Sequence, residues 1–446
     1  MIFVLVVFLF IELIVAYCLN GKRLFSPSFV SISVFLVSSL VYAFFMNSLF
    51  GTDIHLVTAI AIPATMAFVI AGEIMANKVK KKQHNFGYKE VKALSINLLV
   101  IILFSIFVLA VSIWYAYDVY LFSLSLGNSK GSFFSATEFV RHSSSYGDGN
   151  SFYSSGTLLN QALLISKCIL YLCFFAFMND SLLKRKPQIR YLFPFFGYIV
   201  YIAFCDSRGY LIQDILIFIS MVFNRLSFFR FSRRKMNKIV LITTVSSLAF
   251  FLLSFRILGF RTGTSLNKTF LFNIAEYISS GILGLDKVLI SGFDSNSLFA
   301  QGVLRNIYIK LNDFGFGFRL GPSNREFFTY LAGRSNVYTG LLTLIMDFGV
   351  FCCFFLFVWS FFLQVLLNNK KPNNELLYCF VVGTLFYPLS MISIGGEWAN
   401  VLSVTTIYHI VYLLLLESFF LKKRNLKSKG ELNAKRIQDC SSWRGI

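Results

Sequence analysis

The chain has 446 residues, 56% of them hydrophobic and only 14% charged. A soluble domain cannot bury that much apolar surface, so the composition excludes a water-soluble globular protein and implies one that crosses a membrane many times. The formal charge of +20 comes with no nucleic-acid motif and is read as a topology signal on membrane loops.

Apolar runs long enough to span a bilayer occur at 2–19, 27–50, 54–76, 93–117, 158–178, 191–205, 210–223, 239–255, 339–366, 376–394 and 399–420. They predict an all-α polytopic membrane protein of eleven transmembrane helices. The first run lacks a basic leader and a small-residue cleavage site, so it reads as a retained helix. Between the short runs 191–205 and 210–223 lie only Asp206, Ser207, Arg208 and Gly209. Lys22 and Arg23, the lysines of 78–92, the basic residues of 184–190 and 224–238, Lys370 and Lys371, and the tail from Lys422 all fall on one side when eleven spans alternate. Basic loops stay in the cytoplasm, so the N-terminus is expected outside and the C-terminus inside. The chain then divides into eight spans with an outer loop 118–157 (1–255), a large outer loop (256–338), three further spans (339–420) and a basic cytoplasmic tail (421–446).

The large loop carries Arg256, Arg261, Arg305, Arg319, Arg325 and Arg334 with Lys268, Lys287 and Lys310, whereas 118–157 has one arginine, Arg141. Outer loops are ordinarily poor in such residues, and arginine grips phosphate in a planar fork that lysine lacks. Within the loop, Phe270, Ile274, Tyr277, Ile278, Ile282, Leu285 and Leu289 recur at helical spacing, predicting a helix over 266–290 that lies on the membrane surface or caps a cavity. The glycine-rich stretch 312–335 reads as irregular. No cysteine lies in either outer loop, so no disulfide framework is implied, and no Cys/His cluster suggests a metal.

Polar residues also stripe the late spans. Asn336, Thr339, Thr343 and Asp347 fall three and four apart, which puts Asp347 on a polar face about 12 Å below the outer surface at about 1.5 Å per residue. Asn400, Ser403, Thr406 and His409 form a second stripe, with Glu397 at its outer mouth. Lys167 and Asp214 lie inside spans; a structural ion pair and a functional role both suit Lys167 with Asp347 or Asp214. Arg208 stands at an outer turn, where a lone cation can anchor an interface or hold a phosphate. The histidines outside, His55 and His142, have no motif around them.

A cationic outer rim, polar walls and carboxylates within reach suit a lipid with a phosphate or pyrophosphate head. Arginines would stabilise the departing anion, and Glu397, Asp347 or Glu326 would take a proton from a sugar hydroxyl, with no metal or other cofactor. The stretch "SNVYTGLLTLIMDFG" (335–349) resembles the Asn-x-Tyr-Thr … Asp-Phe-Gly pattern of Wzy-type O-antigen and capsule repeat-unit polymerases, and "DSRGYL" (206–211) resembles a Ser-Arg-Gly element shared with O-antigen ligases. The resemblance implies a glycosyltransferase C-like membrane fold in a bacterial inner membrane with a periplasmic active face. It implies transfer of a growing glycan from undecaprenyl pyrophosphate to a new lipid-linked unit, with a chain-length regulator as partner. On this basis Arg208, Arg261, Arg319, Arg325 and Arg334 would hold the pyrophosphate, and Asn336, Tyr338 and Thr339 would belong to the late motif. O-antigen ligase, lipid-linked oligosaccharide flippase and ion-coupled transporter are the alternatives. No HxxxD acyltransferase pattern and no DxD metal motif occur.

Overall fold

The computed structural model describes residues 1–79, 93–128, 155–184, 188–205, 208–228, 232–257, 270–292, 298–321, 327–368 and 374–424, with 133, 136, 139 and 140 singly. In chain order the helices are α1 (Ile2–Leu19), α2 (Pro27–Phe45), α3 (Leu56–Val79), α4 (Leu98–Ser125), α5 (Thr157–Lys184), α6 (Phe193–Phe204), α7 (Arg208–Phe228) and α8 (Arg233–Ile257). They continue with α9 (Phe270–Ser291), α10 (Arg305–Asp313), α11 (Gly340–Phe348), α12 (Cys352–Asn368), α13 (Glu375–Met391), α14 (Trp398–Val401) and α15 (Val404–Phe420). Two small antiparallel pairs accompany them: β1 (Ala93–Ser95) with β4 (Lys422–Arg424), and β2 (Phe328–Tyr330) with β3 (Gly333–Ser335).

Among the described residues, seven helical stretches are long and apolar enough to cross a membrane: Ile2–Leu19, Pro27–Phe50, Leu56–Val79, Leu98–Ser125, Thr157–Leu182, Gly340–Asn368 and Trp398–Phe420. The chain is a predominantly helical, membrane-embedded protein. Two shorter apolar helices, Ile189–Phe204 and Glu375–Met391, coincide with predicted runs, and the runs 210–223 and 239–255 lie within α7 and α8. Residues 93–95 form a strand instead of opening the fourth span. The helix starts at Leu98 because Asn97 accepts the Leu99 N–H at 3.2 Å as an N-cap.

Two large apolar clusters, with a small third around Tyr387 and Met391, make the interior among the described residues. One gathers α1, α2, α3, α8, α9, α11 and α12; the other gathers α4, α5, α6 and α15; α7 and α13 contribute to both. Without a hydrophobic drive between helices in lipid, close contact depends on small residues at the crossings. At Gly383 of α13 a Cβ would stand 2.5 Å from the Cα of Ile217 on α7, and at Gly197 of α6 it would stand 2.8 Å from the backbone of Leu109 on α4.

The contacts sort the loops into two ends. At one, Asn237 donates to the carbonyl of Lys22 at 2.7 Å, Arg23 reaches Asn368, Phe25 packs on Phe223, Arg225 pairs with Glu375, and β1 meets β4. At the other, Ala332 donates to Leu49 at 3.0 Å, His55 meets Asp286, and residues 300–306 and the β2–β3 hairpin meet the helix ends. The described parts of the basic connections thus share one end, and the described parts of the arginine-bearing loop sit at the opposite one.

Three expectations change. The helix expected over 266–290 is α9, and of its two expected placements the membrane surface does not hold: residues 281–286 are all buried, with α2 and α3 on one side and the β2–β3 hairpin and residues 337–339 on the other. The stretch 312–335 is not wholly irregular, since α10 runs to Asp313 and residues 328–335 form the hairpin, with Thr329 opposite Arg334. The ninth span is broken. Thr339 caps α11, so Asn336 lies outside the helix. After Phe348, Gly349 takes φ 56° and a 3-10 turn precedes α12. Thr339, Thr343 and Asp347 keep their spacing along α11, and Asn336 drops out of the expected stripe.

Candidate functional site at the loop-bearing end

The stretch 300–306 ties the large loop to the helix ends. Asp347, one residue before the end of α11, accepts the backbone N–H of Gly302 at 2.9 Å and of Val303 at 2.8 Å on its two oxygens. Only glycine fits at 302, because a Cβ there would lie 2.5 Å from Thr343 Cγ2 and 3.2 Å from the Asp347 carboxylate. Next along the loop, Arg305 opens α10 and donates to the carbonyl of Gly321 at 2.9 Å; partial burial lowers its pKa from the usual guanidinium value. Asn306 donates to the carbonyl of Ala399 at 2.9 Å and reaches Asn400. Asn400 in turn donates to Glu397.

Glu397 stands at the turn between α13 and α14. Burial pushes its carboxyl above the usual carboxylate range, against the opposing hydrogen bonds from Asn400 and Tyr387. The turn is locked to α11: Gly340 donates to Ile392 at 2.8 Å, and the Trp398 indole donates back to Gly340 at 3.1 Å. Residues 302–306 therefore link two carboxylates, Asp347 directly and Glu397 through Asn306 and Asn400, and carry Arg305, which sequence reasoning counted among the loop cations but not among the site residues.

The other predicted residues are distributed around this core. Arg319 and Arg334 are exposed; the Arg334 guanidinium lies over the Phe327 ring at 5.1 Å, and among the described residues neither arginine meets a carboxylate. Lys287 of α9 binds the carbonyl of Thr329, opposite Arg334 in the hairpin register. Thr339 is the buried cap of α11, accepting from Leu342 at 3.3 Å, and Tyr338 packs edge-on against Phe328 at 5.3 Å. Asn336 is partly exposed. Arg208 is the first residue of α7, its side chain outside the described part. Arg261, Arg325, Glu326 and His142 also lie outside the described residues.

The second polar stripe is interrupted. Residues 398–401 make one short turn, and Ser403 caps a new helix by accepting from Thr406 at 3.3 Å. On α15 the His409 Nδ1 lies 3.0 Å from the Thr405 carbonyl, one turn back on the same helix. Lys167 pairs with Asp214 rather than Asp347: Nζ is 3.5 Å from Oδ2, and Tyr171 and Tyr198 both donate to the same carboxylate. With both charged groups buried, three donors converge on Asp214, the arrangement a charge inside a membrane needs.

One further cluster had no sequence signal. Asp286 of α9, 2% exposed, accepts from the His55 N–H at 2.8 Å, the Thr58 hydroxyl at 2.7 Å and the His55 ring at Nδ1, 2.9 Å away. The two residues are 231 positions apart in the chain, so only the packing of α9 against α3 brings them together.

No protein-family model matches the chain, and no curated protein or solved structure matches it.

Proposed function

We propose that the protein is a membrane glycosyltransferase that polymerises undecaprenyl-pyrophosphate-linked oligosaccharide repeat units of an O-antigen or capsule. It would have eleven spans, the N-terminus outside and the active face periplasmic, in a bacterial inner membrane. The observation that carries this is the seating of an arginine-bearing loop on the helix ends where Asp347 and Glu397 are held, at the end opposite the basic connections. A cationic surface at a membrane boundary fits a lipid whose head is a pyrophosphate, and exposed guanidinium forks match its oxygens in pairs.

In the proposed reaction a hydroxyl of the terminal sugar of a new lipid-linked unit attacks the anomeric carbon of the donor glycan. The bond from that carbon to the pyrophosphate oxygen breaks, and the electron pair leaves with the carrier. Arg319 and Arg334, with Arg305 behind them, would stabilise the charge that gathers on the leaving pyrophosphate. The hydroxyl proton passes to a base. Asp347 is engaged by two backbone amides and suits positioning of the loop, and Glu397, its carboxyl pushed above the usual range by burial, is held by Asn400.

The test is a strain scored for polymer and for the location of single units. Arg319→Ala combined with Arg334→Ala should leave single repeat units on the outer face and abolish long polymer. Units trapped on the inner face would point to a flippase, and normal polymer in a correctly inserted variant would remove the arginine assignment. Transfer to a lipid A core in place of another repeat unit would mark a ligase.

A further inference from the structure

Resting on the polymerase reading, we infer that His55, held by Asp286, is the base that takes the proton from the acceptor sugar hydroxyl. The His55 side chain is 63% exposed, and its carboxylate partner is 2% exposed. A carboxylate only accepts hydrogen bonds, so the proton of the neutral ring sits on Nδ1, 2.9 Å from Asp286 Oδ2, and Nε2 is left with its lone pair. The Thr58 hydroxyl and the His55 N–H hold the other carboxylate oxygen at 2.7 and 2.8 Å, so the carboxylate cannot swing away from the ring. A buried carboxylate that fixes tautomer and direction, with the far nitrogen open to incoming substrate, is the division of labour in histidine-based proton transfer.

The dyad lies beside the cationic surface. Phe50, five residues before His55, packs on Tyr330 at 5.6 Å, and its carbonyl accepts from Leu331. Lys287, next to Asp286, grips Thr329, which pairs with Arg334. Of the neighbouring charged groups, Asp286 meets the ring, Asp53 two residues earlier is paired with the N-terminal ammonium, and Lys287 is turned to the hairpin. With the donor's pyrophosphate held at Arg334, the anomeric carbon and the acceptor hydroxyl that attacks it would lie at this face. Nε2 would accept the hydroxyl proton as the oxygen bonds to the anomeric carbon and the carrier pyrophosphate departs. His55 then returns the proton to water. Asp286 is a positioning residue.

The experiment uses the full chain in proteoliposomes with a defined undecaprenyl-pyrophosphate-linked repeat unit. His55→Asn is the decisive variant, because its side-chain amide can still donate to Asp286 from the Nδ1 position while the Nε2 function is lost. It should keep the melting temperature and the lipid affinity and slow polymerisation by about 100-fold or more, the usual contribution of a general base. His55→Ala should behave likewise and regain rate with added imidazole. Asp286→Asn should lower the rate with little change in half-saturating lipid. Polymerisation by His55→Asn at the wild-type rate would overturn the inference and leave the polymerase reading standing. A slow His55→Ala that imidazole fails to rescue would also overturn it. If the wild type forms no polymer, the polymerase reading fails, and this inference falls with it.

Discussion

Replacing Asp347 by alanine should unfasten the loop from the bundle without unfolding the bundle. Two backbone N–H groups, of Gly302 and Val303, meet the carboxylate at 2.9 and 2.8 Å, one on each oxygen. Hydrogen bonds to charged groups are worth about 1.5–3 kcal/mol each, and the partial exposure of Asp347 puts these at the low end. The loss is therefore about 2–3 kcal/mol of local stability, which corresponds to roughly 30- to 160-fold faster hydrogen exchange at the two amides if they open locally. Asp347→Asn keeps one acceptor oxygen and should lose about half of this free energy. Hydrogen–deuterium exchange over 298–306, compared with exchange in α3 and α12, reads the effect directly. Polymer output should follow the loop, so asparagine should retain more activity than alanine. Unchanged exchange at Gly302 and Val303 in the alanine variant would refute the clamp, and an asparagine variant as inactive as alanine with an intact loop would return Asp347 to acid–base chemistry.

Gly302→Ala should loosen the same clamp from the other side, because its Cβ meets Thr343 at 2.5 Å; protease nicking in the loop would report it. Removing one member of the buried Lys167–Asp214 pair strands a charge in the bundle and should cost about 3–5 kcal/mol, while Lys167→Met with Asp214→Asn should recover most of it in thermal melts. Glu397 holds its proton to higher pH in the folded state than in the unfolded one, so it subtracts stability as pH rises above the ordinary carboxyl value of 4.5. Glu397→Gln should therefore match the wild-type melting temperature in acid and exceed it increasingly toward neutral pH. Arg334→Lys should restore little of the pyrophosphate-lipid affinity lost in Arg334→Ala, since an ammonium cannot reproduce the fork.

The helices were readable because span length and apolarity are local properties; the run at 2–19 became Ile2–Leu19 without adjustment. The helix in the large loop was readable from its period, but its enclosure was not, since the covering hairpin has strands of only three residues and leaves almost no alternating pattern. The break at Gly349 was hidden within an uninterrupted apolar run, where hydropathy cannot distinguish one helix from two. In the candidate site, Asp347 and Glu397 stood out as carboxylates near apolar spans. Asn400 was visible beside Glu397 as part of a polar stripe, but Gly302 and Val303 were not, because they contribute only backbone N–H groups, which carry no compositional signal. The choice of Asp214 over Asp347 for Lys167, and the meeting of His55 with Asp286, depend on which helices pack together, and spacing along the chain does not encode that.

The most direct measurement is the product pattern of the purified protein in proteoliposomes supplied only with an undecaprenyl-pyrophosphate-linked repeat unit. A polymerase turns this single substrate into a ladder rising in whole repeat units, with free carrier pyrophosphate released in step. Intact single units after prolonged incubation with inserted, folded protein would contradict the proposed function.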